Sequence, residues 1–129
     1  MTDVSHWNVL IVDDEPDNIG VLEYVLRFHN ARVRTALAGS RCLEMLHEEL
    51  PTVLLLDIQM PSLSGEDLLK IIRENTAWQH LKVIAVTAHA MEGDRERFLA
   101  EGFDGYIPKP ISAITLINDI QTVLEMVKT

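Results

Sequence analysis

Cysteine is almost absent from this chain of 129 residues, because Cys42 is the only one. A single cysteine forms no intrachain disulfide and builds no cysteine-based zinc site. Cys42 lies in a stretch with apolar residues at helical spacing, so we expect it to be a small buried hydrophobic residue. The fold must therefore depend on its hydrophobic core, and a chain of this length is able to build one.

Positive charge is also scarce. Lysine and arginine number 11 against 20 aspartate and glutamate residues, so the formal net charge is −9. Phosphate backbones repel a chain of this charge, and we expect no direct binding to nucleic acid. An acidic excess commonly serves solubility, and the alternative is that some carboxylates cluster to hold a cation.

Long apolar runs are missing as well. No run approaches the roughly 20 apolar residues that a membrane helix needs, and residues 1–6 lack the basic and apolar regions of a signal peptide. We therefore expect a cytoplasmic chain without membrane insertion. No linker or shift in composition divides the sequence, which predicts one domain over residues 1–129 without an output domain.

The apolar runs that do occur are short. Residues 9–12, 53–56 and 83–86 are continuously apolar, which is typical of strands covered on both faces. Residues 32–36 alternate between polar and apolar side chains, as an exposed edge strand does. The short run 105–107 suits the opposite edge. The sequence thus predicts five strands, three of them central.

Segments of helical period separate these strands. Each places apolar side chains on one stripe, and the predicted helices cover residues 17–29, 40–49, 65–75, 91–101 and 111–127. Regular alternation of strand and helix implies right-handed crossovers. The predicted fold class is therefore α/β, with a parallel sheet covered by helices on both faces.

Three of these helices carry more detailed expectations. Ser64 followed by Asp67 predicts an N-terminal cap for the third helix. Gly102 predicts the end of the fourth helix. The fifth helix is expected to direct Ile114, Ile117 and Ile120 toward the core.

Polar side chains follow four of the five strands. Asp13 and Asp14 follow the first strand and Asp57 follows the third, whereas Thr87 follows the fourth and Lys109 comes shortly after the fifth. Functional side chains of an open parallel sheet gather at the carboxyl ends of its strands. We therefore expect three acids, a hydroxyl and a lysine to meet at one edge, although each residue alone would have an ordinary turn or surface role.

The chemistry of this set points to phosphoryl transfer. Ionised Asp13, Asp14 and Asp57 repel one another at close range, and a hard cation with oxygen ligands, such as Mg²⁺, relieves that repulsion. A carboxylate beside the metal can act as a nucleophile and form an aspartyl phosphate. Lys109 can offset charge on the transferring group, and Thr87 can donate a hydrogen bond to it.

The sequence resembles the receiver domains of two-component response regulators. The shared motifs are VLIVDDE at 9–15, LLLDIQMP at 54–61, Gly65, VTA at 86–88 and YIPKP at 106–110. These motifs extend over nearly the whole chain in order and spacing. The resemblance implies a flavodoxin-like, doubly wound fold, with a five-stranded parallel sheet of order 2-1-3-4-5 and five helices.

The same resemblance assigns the phosphoacceptor and the metal ligands. Asp57 would accept the phosphoryl group from a phosphohistidine of a sensor histidine kinase or phosphotransfer protein. Asp14 and Asp57 would bind Mg²⁺ directly, together with the backbone carbonyl of Gln59. Asp13 would act mainly through a bound water molecule. The implied function is a phosphoacceptor switch that catalyses only its own phosphorylation and slow dephosphorylation.

The resemblance also implies how the signal leaves the site. Thr87 and Tyr106 would form a switch pair, Lys109 would contact the phosphoryl group, and the Lys109–Pro110 peptide bond would be cis. Residues 88–94 resemble those of stand-alone regulators and of hybrid kinases. The face formed by the fourth helix, fifth strand and fifth helix would then be read by a downstream protein, or by a second copy in a phosphorylation-dependent dimer.

Other functions remain open at the level of sequence. A phosphatase of the haloacid dehalogenase type also uses an aspartate nucleophile, but it needs a second aspartate where this chain has Gln59. A nucleotide- or flavin-binding module would need a phosphate loop where this chain has acids, and a scaffold that is never phosphorylated is the third alternative. In receivers, the positions of Gln59 and His89 flank the path of the hydrolytic water. His89 is either an ordinary exposed loop residue or a group that orients that water or acts as a base.

Overall fold

The computed structural model describes residues 3–88 and 93–126. Five strands alternate with five helices along the chain, as the sequence predicts. The strands are β1 (Asn8–Val12), β2 (Arg32–Ala36), β3 (Val53–Asp57), β4 (Lys82–Thr87) and β5 (Gly105–Pro108). The helices are α1 (Pro16–Phe28), α2 (Gly39–Glu48), α3 (Gly65–Glu74), α4 (Asp94–Glu101) and α5 (Leu116–Glu125), with a short 3₁₀ helix at Thr76–Trp78.

The strands form one parallel sheet in the order β2-β1-β3-β4-β5, which confirms the predicted order and both predicted edges. The register of the strands determines the level at which the polar residues that follow them lie. Val12 of β1 lies opposite Leu56 of β3, so the aspartates that follow these two residues leave the sheet at the same level. Thr87 ends β4 opposite Pro108 of β5, one residue before Lys109.

The apolar side chains form two buried clusters, one on each face of the sheet. Successive strand residues point to opposite faces, so Val9 and Ile11 belong to the cluster beneath α1 and α5. Leu10 and Val12 belong to the cluster beneath α2, α3 and α4. This double burial is the reason that the central strands are continuously apolar.

Each cluster contains one of the two tryptophans. Trp7 is buried in the cluster beneath α1 and α5, and its carbonyl accepts a hydrogen bond from the Arg32 amide at 3.0 Å. Trp78 is buried in the other cluster, where the His47 ring meets its indole edge-on at a centroid distance of 4.8 Å. The two indoles therefore lie on opposite faces of the sheet.

The first three helices agree with the sequence to within one residue at each end. The Ser64 hydroxyl accepts a hydrogen bond from the Asp67 amide at 3.1 Å, which confirms the predicted cap of α3. Cys42 is fully buried on α2, as expected, and this burial raises the pKa of its thiol to about 12.

The fifth helix corrects the prediction at its N-terminal end. It begins at Leu116 rather than at residue 111, and Ile114 is 94% exposed instead of facing the core. The Ser112 hydroxyl accepts a hydrogen bond from the Thr115 amide, which favours a turn over a helix at this point. Ile117 and Ile120 are buried as predicted.

The fourth helix is described from Asp94 onward, and the predicted positions 91 and 92 lie outside the described residues. Gly93 (φ 90°) precedes it and Gly102 (φ 114°) follows it, both in the left-handed region that glycine tolerates. The predicted stop at Gly102 is confirmed. Within residues 3–88 and 93–126, every helix falls short of the length and apolar character needed to cross a membrane.

The loop after β3 depends on a close backbone approach at Gly65. The Gly65 amide donates to the Ile58 carbonyl at 3.0 Å. A Cβ at this position would overlap the carbonyl oxygen of Asp57 and lie 2.8 Å from the Cα of Ile58. Both obstacles are backbone, so they cannot move aside as a flexible side chain would.

We predict that Gly65→Ala lowers the free energy of unfolding by about 1–3 kcal/mol, the usual range for forced overpacking. The control is Gly20→Ala in α1, where an added Cβ meets no heavy atom within 4 Å. This control should raise stability by up to about 1 kcal/mol, because alanine favours the helix. Urea unfolding measures both variants, and equal effects would contradict the proposed backbone overlap.

Candidate functional site

The structure brings the three predicted acids together at the carboxyl edge of the sheet. Asp13, Asp14 and Asp57 each offer a carboxylate oxygen within 4.8 Å of the others. Asp13 and Asp57 are buried, with 2% and 5% exposure, whereas Asp14 is half-buried. The adjacent positions of β1 and β3 in the sheet produce this cluster, because both strands end at the same level.

Lys109 lies against the same cluster. Its Nζ is 3.1 Å from Asp13 Oδ2 and 3.6 Å from Asp57 Oδ1. The Lys109 amide donates to the Thr87 carbonyl at 2.8 Å, which holds the lysine at the end of β4. The Lys109–Pro110 peptide bond is cis, as the resemblance implies. One cation is therefore positioned between two of the three acids.

Both carboxylate oxygens of Asp13 already have partners. Its Oδ1 accepts a hydrogen bond from the Glu15 amide at 2.9 Å, and its Oδ2 accepts one from Lys109. The Glu15 contact is an Asx turn, in which an aspartate bonds to the backbone two residues on. The bond from the Glu15 amide to Asp13 was not predicted from the sequence. An aspartate at the start of a turn is a recognisable signal for a bond of this kind.

The surroundings of Asp57 shift the pKa of its carboxyl. Burial, followed by the charge of Asp13 and a smaller contribution from Asp14, raises its pKa to about 6. Lys109 and the Gln59 amide, which donates to Asp57 Oδ1 at 3.4 Å, oppose this rise. The Gln59 side chain itself is exposed. A buried carboxylate with like charges beside it is poised to gain from a bound cation.

The predicted switch residues lie on the two neighbouring strands. Thr87 is 1% exposed at the end of β4, and Tyr106 is half-buried on β5. The Tyr106 ring stacks on Phe98 of α4 with centroids 5.6 Å apart. Burial, and then the charge of Asp94, raises the pKa of Tyr106.

Phe98 was missed by sequence analysis. The signal for it is a single aromatic residue within the otherwise largely polar helix α4, DRERFLAE. Its ring also meets Phe103 edge-on at 5.7 Å, so Phe98 joins α4 to the core as well as to Tyr106. His89 lies outside the described residues, and its role in hydrolysis stays a prediction.

We predict that Asp57→Asn stabilises the metal-free protein at pH 7 by at most about 3 kcal/mol, because each pKa unit corresponds to about 1.4 kcal/mol. The pKa of Asp57 is higher in the folded chain, so folded protein holds the proton more tightly. Wild-type stability therefore falls as the pH rises between about 4 and 6. The gain in Asp57→Asn should shrink as the pH falls through this range.

Urea unfolding between pH 4 and pH 8 in the presence of a chelator measures this gain. Glu74→Gln is the charge-matched control, because Glu74 is an exposed acid at the end of α3. It should change stability little at any pH in the range. A gain in Asp57→Asn that is equal at pH 4 and pH 8 would contradict the raised pKa.

Comparison with known proteins shows the family of the chain. The model of the response regulator receiver domain family matches residues 9–121. The polar-differentiation response regulator DivK of Brucella ovis is 34% identical over 117 residues, which cover 91% of this chain and 95% of DivK. A crystal structure assigned to a response regulator of Chloroflexus aurantiacus has a TM-score of 0.86 and 28% identity, covering 93% of this chain and 98% of that one.

A second solved structure is informative about the metal. The receiver domain of sensor histidine kinase PA1611 from Pseudomonas aeruginosa, with a magnesium ion in its active site cleft, has a TM-score of 0.83 and 29% identity. The match covers 93% of this chain and 98% of that domain. Receiver domains bind a divalent metal at an acidic pocket, and Asp13, Asp14 and Asp57 form an acidic cluster that could hold a metal ion. A phosphatase function is not favoured by these matches. The chain belongs to the response regulator receiver domain family, whose members are phosphoacceptor signalling switches and not enzymes in the usual sense.

Proposed function

We propose that Asp57 is the residue that accepts the phosphoryl group, and that the donor is a sensor histidine kinase or a phosphotransfer protein. The observation that carries this proposal is the position of Asp57 at the end of central strand β3. Its carboxylate lies beside Asp13 and Asp14 and 3.6 Å from Lys109 Nζ. Gln59, two residues further on, cannot supply the second acid that a phosphatase of this type would need.

The acidic cluster fits Mg²⁺. It offers only oxygen ligands, which hard divalent cations prefer. Asp14 and Asp57 are the direct ligands in this proposal, together with the Gln59 carbonyl. Asp13 acts through water, and its two engaged oxygens support that assignment. Bound Mg²⁺ offsets negative charge on the carboxylates and on the incoming phosphoryl oxygens.

The residues of the chain carry out the transfer as follows. A carboxylate oxygen of Asp57 attacks the phosphorus atom of the donor's phosphohistidine, and an O–P bond forms while the N–P bond breaks. The imidazole of the donor leaves with the electron pair of that bond. Lys109 exchanges its contact with Asp57 for a phosphoryl oxygen, and the Thr87 hydroxyl donates to another. In this sense the chain catalyses its own phosphorylation, and later its slow dephosphorylation by water.

The output of the switch is a changed surface. Thr87 moves toward the phosphoryl group and vacates space that the Tyr106 ring fills, which shifts the population between two packings. The affected face is formed by α4, β5 and α5, and a downstream protein or a second copy of the chain reads it. The organisation as one domain without an output domain stays a prediction.

Phosphorylation should depend on Asp57 and on the metal. Incubation with acetyl phosphate and Mg²⁺ should add one acid-stable, hydroxylamine-labile phosphoryl group to the wild type, measured by intact mass. Asp57→Asn should remove this labelling to below detection, because an amide is a poor nucleophile, and a chelator should block it in the wild type. Glu74→Gln should label normally, and full labelling of Asp57→Asn would reject the assignment.

Signal transmission should depend on Thr87 rather than on phosphate acceptance alone. Beryllofluoride, a phosphate mimic, should change amide exchange between residues 94 and 108 in the wild type, because Tyr106 and α4 repack. Thr87→Ala should still bind the mimic but lose most of this change. The control is Thr122→Ala on α5, where the hydroxyl donates to the local Asn118 carbonyl at 2.9 Å. Identical exchange changes in Thr87→Ala and wild type would refute the coupling.

A further inference from the structure

The fourth helix has few apolar contacts to hold it. It has eight residues, and Phe98 is the one that is buried along Asp94–Glu101. Leu99, the next apolar residue, is 37% exposed. The N-cap is Gly93, which has no side chain to cap the first turn. Polar contacts with neighbouring elements can therefore add substantially to the contacts of Phe98 in positioning α4.

Arg97 supplies the contact between α4 and α3. Its Nη1 lies 3.2 Å from Oε2 of Glu66, in the first turn of α3. The same guanidinium lies 3.5 Å from Asp94 Oδ1 and 3.8 Å from Glu101 Oε1, both on its own helix. Of these three carboxylates, only Glu66 belongs to another element. The arginine thus bridges the two helices.

Glu101 reinforces the same contact from the other end of α4. Its Oε1 lies 3.8 Å from Arg97 Nη1, the atom that also contacts Glu66. A hydrogen bond to Glu66, followed by burial and the Glu66 charge, raises the pKa of Glu101 to about 7. Arg97 and Lys70 oppose the rise. A cleft of about 310 Å³ between α3 and α4 is lined by these groups: Ser64, Glu66, Asp67, Lys70 and Glu101.

The contact between the helices lies close to the proposed switch. Phe98, next to Arg97 in sequence, is the residue on which the Tyr106 ring stacks. The Arg97 guanidinium itself lies 4.4 Å from the centroid of the Phe98 ring. Among the described residues, Thr87, Phe98, Glu66 and Arg97 line one cavity of about 420 Å³. A movement of α4 away from α3 would therefore change the surroundings of both switch residues.

We propose that Glu66, Arg97 and Glu101 form an ionic latch between α3 and α4, which holds Phe98 and the stacked Tyr106 ring in the unphosphorylated arrangement. The latch rests on the proposed switch function of Thr87 and Tyr106. Its three members are positioning residues, because they contact one another rather than the phosphoryl group. Their contacts fix the position of α4 relative to α3. When these contacts break, the free energy needed for Tyr106 to move into the space vacated by Thr87 is lower. Loss of the latch therefore favours the phosphorylated arrangement.

The latch should depend on pH, because the Glu66 and Glu101 carboxyls line one cleft and both lie near Arg97 Nη1. The pKa of Glu101 in the folded chain is about 7, above its ordinary value of 4.5. The stabilisation from this interaction with Glu66 is thus fully present below about pH 4.5 and is lost as the pH rises through 7. Above that pH the two carboxylates repel, and Arg97 with Lys70 provides the remaining attraction. High salt weakens this attraction too, because the Arg97 side chain is 50% exposed.

Amide protection in α4 tests the latch without any metal or phosphate. Protection factors for residues 98–101, corrected for intrinsic exchange at each pH, are measured in metal-free protein. Arg97→Gln should lower them by about twofold to fivefold, the factor that an exposed ion-pair network supports. Arg95→Gln is the matched control, because Arg95 is an exposed arginine on the same helix outside the ion pairs described here. Equal effects of the two variants would overturn the latch.

The pH profile separates the latch from a purely structural role. Wild-type protection of residues 98–101 should fall by about twofold to fivefold between pH 6 and pH 8, as Glu101 loses its proton. Glu101→Gln keeps a hydrogen-bond donor toward Glu66 without an ionisable group, so its protection should stay constant over that range. A wild-type profile as flat as that of Glu101→Gln would overturn the proposal.

Affinity for beryllofluoride in the presence of Mg²⁺ tests the coupling to the switch. Arg97→Gln should bind this mimic about twofold to fivefold more tightly than wild type and Arg95→Gln. In wild type, part of the free energy of binding is used to break the contacts of Arg97, and in Arg97→Gln these contacts are already absent. Lower protection with unchanged affinity would show that the latch does not restrain the switch, which overturns the proposal. If wild type fails to bind beryllofluoride at all, the proposed function fails, and the protection measurements still decide whether the latch exists.

Discussion

The carboxyl edge of the sheet depends on how the repulsion among three neighbouring carboxylates is offset. Asp13 and Asp57 are buried side by side at the ends of two neighbouring strands. Burying unpaired charge costs several kcal/mol, so the edge is stable only with positive charge close by. Lys109 supplies it from the end of β5, at 3.1 Å from Asp13. The proposed metal binding and phosphorylation would both act on this one electrostatic imbalance.

Rigidity is unevenly distributed around that edge. Central strands β1 and β3 are buried on both faces, and Gly65 allows the loop after Asp57 to fold tightly against its own backbone. The fourth helix contributes a single buried side chain to the core. Regions with few apolar contacts open most easily. Asp57, the proposed acceptor, therefore lies in a firmly packed part of the sheet, whereas α4 beside it has fewer apolar contacts.

The elements and the acidic edge could be predicted because both follow from local patterns. A continuously apolar run identifies a central strand, and the residue after the run marks the strand's end, so Asp13, Asp57 and Thr87 could be placed from the sequence. Helical spacing misled the prediction at Ile114, because a periodic pattern cannot show that the Ser112 hydroxyl closes a turn first.

Contacts between side chains of distant elements could not be predicted in this way. The stack of Phe98 on Tyr106 and the bond of Arg97 to Glu66 depend on how α4 is seated, which no local pattern specifies. Each of these residues has an ordinary role when it is considered alone, as an apolar or charged position on a helix. Only the order of the strands and the register of the sheet bring them together.

Each of the two buried clusters, or hydrophobic layers, contains one tryptophan, so each layer has its own fluorophore. Trp7 emits from the layer beneath α1 and α5, and Trp78 emits from the layer beneath α2, α3 and α4. With Trp7 replaced by phenylalanine, the remaining emission reports on the layer that contains α4, and the converse replacement reports on the other layer. Unfolding curves from the two single-tryptophan proteins coincide if the layers melt together. Curves that separate would identify the sheet face that loosens first.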